Sequence, residues 1–199
     1  HKKGSFKGYH VAVEHENGVL KTDEGIRPNS SVESLSALKP VFDENGVVTA
    51  GNASQISDGA AACLVMSRRK AEQLELTPLA TVTGYCATGV NSVDVMSAPI
   101  PTVQKLWKMN NRAGEKDYDL YEHNEAFASA SLGVMQGLHL KHEKLNVNGG
   151  AVAMGHPLGA SGCRIVLALI HALRQSGGRR GFATACLGGG MATAIELEI

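Results

Sequence analysis

The sequence predicts an α/β fold in which helices pack against a mixed β-sheet. From about Val47 onward, apolar runs of strand length alternate with helical segments. Gly and Ala are plentiful and aromatics make up only 5% of the 199 residues, so small side chains let helices lie close to a sheet. The stretch Gly159 to Gln175 sets Cys163, Val166, Leu167, Ile170 and Leu173 near i, i+3, i+4, i+7 spacing, and Gly177-Gly178 ends it. The length suits about one domain with its own core.

The elements follow in order. Residues 1 to 45 lack sustained periodicity and are rich in Gly, Asn, Ser and Pro, which reads as a loop or lid. Within them, Tyr9 to Val13 and Gly18 to Lys21 are strand-like around the turn Glu16-Asn17-Gly18. Ser31 to Leu38 suits a short helix, with Ser30 or Ser31 as cap and Glu33 in its first turn. Asn52 to Ser57 reads as a short helix, and the small apolar run Ala60 to Met66 as a buried strand. Ser67 caps an exposed helix to Leu74; Ala80 to Ala87 is a strand; Ile100 to Met109 is a helix with Pro101 in its first turn. Asp119 to Glu122 ends a strand, and Glu125 to Leu138 forms a small-residue helix with Asn124 as its expected N-cap. Lys141 to Lys144 is a solvated connection; Phe182 to Leu187 and Ala192 to Ile199 are the closing strands.

Nineteen basic residues balance nineteen acidic ones, so no global field recruits nucleic acid or an anionic membrane. No apolar stretch approaches the length of a membrane span. The four cysteines (Cys63, Cys86, Cys163 and Cys186) are widely spaced with no CxxC pair, so neither a zinc site nor a disulfide scaffold is expected. Reduced thiols point to an intracellular, cytoplasmic setting, with the mitochondrial matrix as the other reducing compartment. Cys63, Cys86 and Cys163 read as small core residues. A start at His1-Lys2-Lys3 without methionine points to a processed or partial chain.

Four segments stand out for chemistry. The run Gly149 to Gly162 delivers His156 between Gly155 and Pro157, just before a helix whose first N–H groups are free to meet an anion. Cys186 sits at the mouth of the turn Gly188-Gly189-Gly190. Taken alone that is equally a tight hairpin with an incidental cysteine, or a thiol placed for acid/base or nucleophilic work. His123-Asn124-Glu125-Ala126-Phe127 lies at a strand end, on the crevice side where α/β proteins bind ligands. Val48 to Gly59 is a small, polar lead-in that means little by itself.

In this order the segments resemble the thiolase superfamily, specifically its C-terminal half. The resemblance rests on Gly51-Asn-Ala-Ser54, Asp58-Gly-Ala-Ala61, Asn124-Glu-Ala-Phe127, Gly155-His-Pro-Leu-Gly-Ala-Ser-Gly162 and Cys186-Leu-Gly-Gly-Gly190. It implies a thiolase-like fold, half of a layered αβαβα architecture, with residues 1–46 as the end of a CoA-binding loop domain and 47–199 as the C-terminal domain. The implied reaction is reversible Claisen condensation or thiolytic cleavage of 3-ketoacyl-CoA, with CoA thioesters as substrates, no cofactor and no metal.

By this resemblance Cys186 moves a proton at the α-carbon. His156 and a water held by Asn124 form the first oxyanion hole, and the Gly188 N–H is one donor of the second. Donors of this kind are typically worth about 3–4 kcal/mol each. Ser54 and Phe127 match a pantetheine tunnel, Arg27 and Ser34 the adenine and phosphate end, and Met96 a position near the acyl group. The chain departs from the family pattern at Met96-Ser-Ala-Pro-Ile and at Gln55-Ile-Ser. The family's nucleophilic cysteine belongs to its N-terminal half, which is expected to be missing, so the chain alone is expected to be inactive. It is then expected to associate with that half or with itself, as a homodimer or homotetramer. Two alternatives are a non-catalytic relative that binds acyl-CoA or lipid, and a small interaction module. Ketoacyl synthases share the fold but use a Cys-His-His set, which Asn124 and Cys186 do not match.

Overall fold

The computed structural model describes residues 4, 6 and 11–199. The strand expected from Tyr9 lies in part outside them, and its described end is β1, Val13–His15. β1 pairs antiparallel with β2, Gly18–Leu20, around the expected turn. Helix α1, Val32–Ser36, starts at Ser31 with a reciprocal cap: the Ser31 hydroxyl accepts from Ser34 N–H, and Ser34 answers on the Ser31 N–H. Helix α2, Arg68–Gln73, has the expected Ser67 cap on Lys70 N–H.

The main sheet has four strands: β3 (Thr81–Gly89), β4 (Leu120–His123), β5 (Arg180–Leu187) and β6 (Met191–Glu198). Their spatial order is β3-β6-β5-β4; only the β4–β5 pair is parallel, so the sheet is mixed. The remaining helices are α3 (Pro99–Met109), α4 (Ala128–Gly137), α5 (Ala151–Met154) and α6 (Leu158–Ser176).

Alternation along the strands divides the core between two faces. Tyr121, Phe182 and Ala194 point to one face, where Val103 and Leu106 of α3 and Val134 of α4 cover them. Leu120, Ala183 and Leu197 point to the other, covered by Ile165, Leu169, Ala172 and Leu173 of α6. The buried row of α6 follows the helical period, and burial of each large aliphatic side chain contributes about 1.5–3 kcal/mol. The helix stops at Gly177, whose φ of 71° is left-handed and returns its N–H to Leu173 O.

A buried carboxylate ties the first face together. Glu196 accepts from Arg112 Nη2 at 2.6 Å, Tyr118 OH at 2.5 Å and Thr83 Oγ1 at 2.8 Å. Thr83 sits where the β3–β6 register slips between Val82 and Gly84. Burial pushes the Glu196 carboxyl up, but these donors outweigh it and hold the group down at about 2.

Three sequence expectations are corrected. Residues 52–57 form no helix, because their backbone groups are spent on distant segments: Ala53 bridges Phe127 and Ile56 bridges His156. Residues 60–66 are not a buried strand. No strand pairs with them among the described residues, and Leu64 and Val65 are more than 80% exposed. Cys63 is exposed with them, while Cys86 and Cys163 are half-buried. The helix after β4 begins at Ala128 with Phe127 as its cap position, so Asn124 is not the N-cap. Three residues of bridging chain intervene and leave the Asn124 side chain free for other work.

Candidate active site

Asn124 continues β4 by one residue, its N–H donating to Thr184 O of β5 at 2.9 Å. The peptide before it is clamped from the other side. Asn146 accepts from His123 N–H at 2.8 Å and donates to His123 O at 3.0 Å, acting as a one-residue neighbouring strand. Asn146 itself has a φ of 48°, a conformation asparagine tolerates better than most residues. After Asn124 the chain is held by Ser54 N–H on Ala126 O and by Ala128 N–H on Asn52 O, both 2.9 Å. The small, polar 48–59 segment therefore matters as backbone: it straps the Asn124 loop and then the His156 loop, where His156 N–H donates to Gln55 O at 3.1 Å.

Gly155 makes that second strap possible. Its φ is +90°, and a Cβ there would stand 2.0 Å from Ser57 Oγ. The bend turns the His156 ring inward. His156 Nε2 and Asn124 Nδ2 are 3.3 Å apart, and His156 Nδ1 is 2.6 Å from Ser161 Oγ in the first turns of α6. The structure thus brings together two residues 32 apart in sequence. Burial, then the charge of Arg164, moves the His156 pKa below the usual histidine value, which favours the neutral ring. Asn124 is 3% exposed, and its Oδ1 is buried without a partner among the described residues.

Cys186 lies near the end of β5, on the same face as Thr184 and two residues beyond it. It is half-buried, and that burial raises its pKa against a smaller lowering by its own backbone N–H. No hydrogen bond joins its thiol to His156 or Asn124 among the described residues. The turn that follows needs glycine: Gly190 has φ +85°, and a Cβ would lie 2.5 Å from Val90 O. Val90 N–H donates to Gly190 O at 2.7 Å, which anchors the turn beside the 3₁₀ helix Ser92–Ser97 that carries Met96. Gly188, exposed, begins this turn.

The residues expected to meet CoA divide. Ser54 and Phe127 are on the strapped loops beside the His156–Asn124 pair, with Phe127 edge-on to Phe42 at 6.5 Å. Arg27 and Ser34 are exposed on the outlying loop, and the Ser34 hydroxyl is engaged in the α1 cap. That loop approaches the site elsewhere, since a Cβ on Gly25 would be 2.3 Å from Gln55 Nε2.

Several supporting residues were not foreseen. Asn146 and Ser161 lacked a local signal beyond Ser161 standing five residues after His156. Glu122, 3% exposed, is pushed up to about 8 by burial, against the opposing charge of Arg164. His123, 1% exposed, is pushed down to about 4 by burial, with Nδ1 2.7 Å from Ser131 Oγ. Among the described residues no group of three or more His, Cys, Asp or Glu could hold a metal, and no helix is long and apolar enough to cross a membrane.

A mixed sheet covered on both faces, with an Asn–His pair and a cysteine strand at one end, defines an α/β protein with a two-loop polar site. The family model described as thiolase, C-terminal domain, matches residues 76–199, and that of the thiolase N-terminal domain matches residues 1–69. The chain belongs to the thiolase family. The second match corrects the expectation of a missing N-terminal half, since the chain carries residues of that domain.

The chain is 47% identical over 178 residues to an acetyl-CoA acetyltransferase of Chromobacterium violaceum, covering 88% of this chain and 45% of the relative. It thus spans about half the length of the curated relatives it matches. Among solved structures, human mitochondrial 3-ketoacyl-CoA thiolase in complex with CoA matches at a TM-score of 0.91 and 38% identity. The match covers 99% of this chain and 50% of that one. An acetyl-CoA acetyltransferase of Bacillus anthracis matches at a TM-score of 0.93 and 38% identity, covering 99% and 51%.

Proposed function

We propose that this chain supplies the acid/base side of a thiolase-type acyl transfer, the reversible Claisen condensation and thiolytic cleavage of 3-ketoacyl-CoA. The observation that carries the reading is the approach of Asn124 to His156 at 3.3 Å, at the strand end flanked by the Cys186 strand. The names of the relatives favour acyl-CoA as the substrate class. The α-proton of a thioester is weakly acidic, so its removal needs both a base and stabilisation of the enolate oxygen. Cys186 as thiolate takes the proton, and the electron pair moves to the thioester oxygen, which His156 and a water on Asn124 stabilise. The Gly188 N–H serves a second oxyanion. Burial raises the Cys186 pKa, which makes its thiolate a stronger base for the α-proton.

Ser54, Phe127, Arg27, Ser34 and Met96 form the CoA path in this reading, and the CoA thioester is substrate with no further cofactor. Residues 1–46 are the end of the CoA-binding loop domain, and residues 47–199 are the C-terminal domain. The protein works in a reducing, cytoplasmic setting as a homodimer or homotetramer, without nucleic acid or membrane. In this reading none of the other thiols is the acyl carrier: Cys86 Sγ is turned to Thr102 O at 3.3 Å, and Cys163 on α6 neighbours Cys63. The same reading expects no acyl-enzyme on the chain by itself.

Two measurements test this. Calorimetry of the chain with CoA should show saturable binding, and its absence would count against the reading. Intact-mass analysis after incubation with acetyl-CoA should show no stable adduct, and an acetyl group on any cysteine would overturn the assignment of roles.

A further inference from the structure

The proton positions on the His156–Asn124 pair follow from a crowded carbonyl. Pro157 O already accepts two backbone donors, Ala160 N–H at 2.8 Å and Ser161 N–H at 2.9 Å. Ser161 Oγ stands 3.0 Å from the same oxygen and 2.6 Å from His156 Nδ1. A hydroxyl has one proton to give. With both lone pairs of Pro157 O occupied, the open acceptor is Nδ1, and 2.6 Å is a hydroxyl-donor length rather than an N–H donor length.

A second observation leads to the same wiring. Asn124 Oδ1 is buried without a partner, while its Nδ2 faces Nε2. A half-turn of the amide puts oxygen where nitrogen stands, and the surrounding network decides between them. If Nδ1 accepts from Ser161, Nε2 carries the proton of the neutral ring and meets an acceptor only when Asn124 presents Oδ1. One rearrangement relieves both the overfilled carbonyl and the unpaired oxygen. The opposite wiring keeps three donors on Pro157 O and leaves Oδ1 orphaned.

We propose that Ser161 is a positioning residue: its hydroxyl donates to His156 Nδ1 and so fixes the ring proton on Nε2, the edge that faces Asn124. The placement of the proton stands on geometry alone. Its use rests on the thiolase reading, because only an Nε2–H can donate to a thioester oxygen at the Asn124 side. Ser161 is 3% exposed, and it acts through His156.

The test is long-range proton–nitrogen NMR correlation of the chain labelled in histidine, with His156 identified by the peaks that His156→Gln removes. The expected result is the Nε2-protonated tautomer in the wild type. In Ser161→Ala the tautomer ratio should move towards Nδ1–H by roughly three- to tenfold, the size of one net hydrogen bond. Ser161→Thr, which keeps the hydroxyl, should restore it. A wild-type ring protonated on Nδ1 overturns the proposal, and so does a tautomer ratio that ignores Ser161→Ala. If the wild-type tautomer is as stated but the protein binds no CoA, the positioning role stands and the thiolase reading fails.

Discussion

Replacing Glu196 by Gln keeps the shape of the side chain and removes the charge from a buried group with several hydrogen-bond donors. The carboxylate lies at the junction of Arg112, Tyr118 and Thr83, and is fully buried. Its pKa falls from an ordinary 4.5 to about 2, which corresponds to roughly 3 kcal/mol of stability. Because the folded value is depressed, that contribution is complete above the unfolded pKa and is lost as pH falls from about 4.5 towards about 2. Urea unfolding followed by circular dichroism should therefore show Glu196→Gln about 3 kcal/mol less stable than wild type at pH 7. The gap should shrink to about 1.4 kcal/mol near pH 3 by the same linkage. Gln retains an acceptor, and Glu198 stands 3.7 Å from the freed Arg112, so the variant should still fold. A stability difference unchanged between pH 7 and pH 3 would refute the reasoning, since it would mean that Glu196 stabilises by packing and not by charge.

Other perturbations probe the core and the loops. Leu169→Ala removes a fully buried side chain beneath the sheet and should cost about 2–5 kcal/mol in the same unfolding assay. Gly155→Ala forces a Cβ towards Ser57 at a φ of +90°; it should shift the His156 NMR signals and lower stability, while Gly159→Ala, with open space around it, should do neither. For Cys186, the raised pKa predicts slow alkylation by iodoacetamide at neutral pH, with a rate still climbing where an ordinary thiol has levelled off.

The elements legible in the sequence are those whose signals are local. Helix α6 announces itself by period and by Gly177, α1 and α2 by their serine caps, and the last two strands by the glycine turn between them. The failures share a cause: residues 52–57 and Asn124 take their structure from partners far along the chain, at Phe127 and His156. Small polar residues at 52–57 are compatible with a helix, and only the distant loops decide against it. Residues 60–66 have the composition of a core strand, yet strand formation requires a neighbour, and none is present among the described residues. His156 and Cys186 were legible as chemistry because glycine-rich surroundings mark them, and Asn124 because it stands at a strand end. Ser161 and Asn146 were not, since their meaning lies in hydrogen bonds that sequence does not encode locally.

The central claim is that Cys186 moves the α-proton of a CoA thioester beside the His156–Asn124 pair. Its most direct test is proton NMR of acetyl-CoA in deuterated buffer with the chain present. The account predicts loss of the methyl signal as deuterium enters, and no loss above buffer with Cys186→Ala. Exchange that proceeds equally well in the Cys186→Ala variant, or no exchange at all with the wild type, would contradict it.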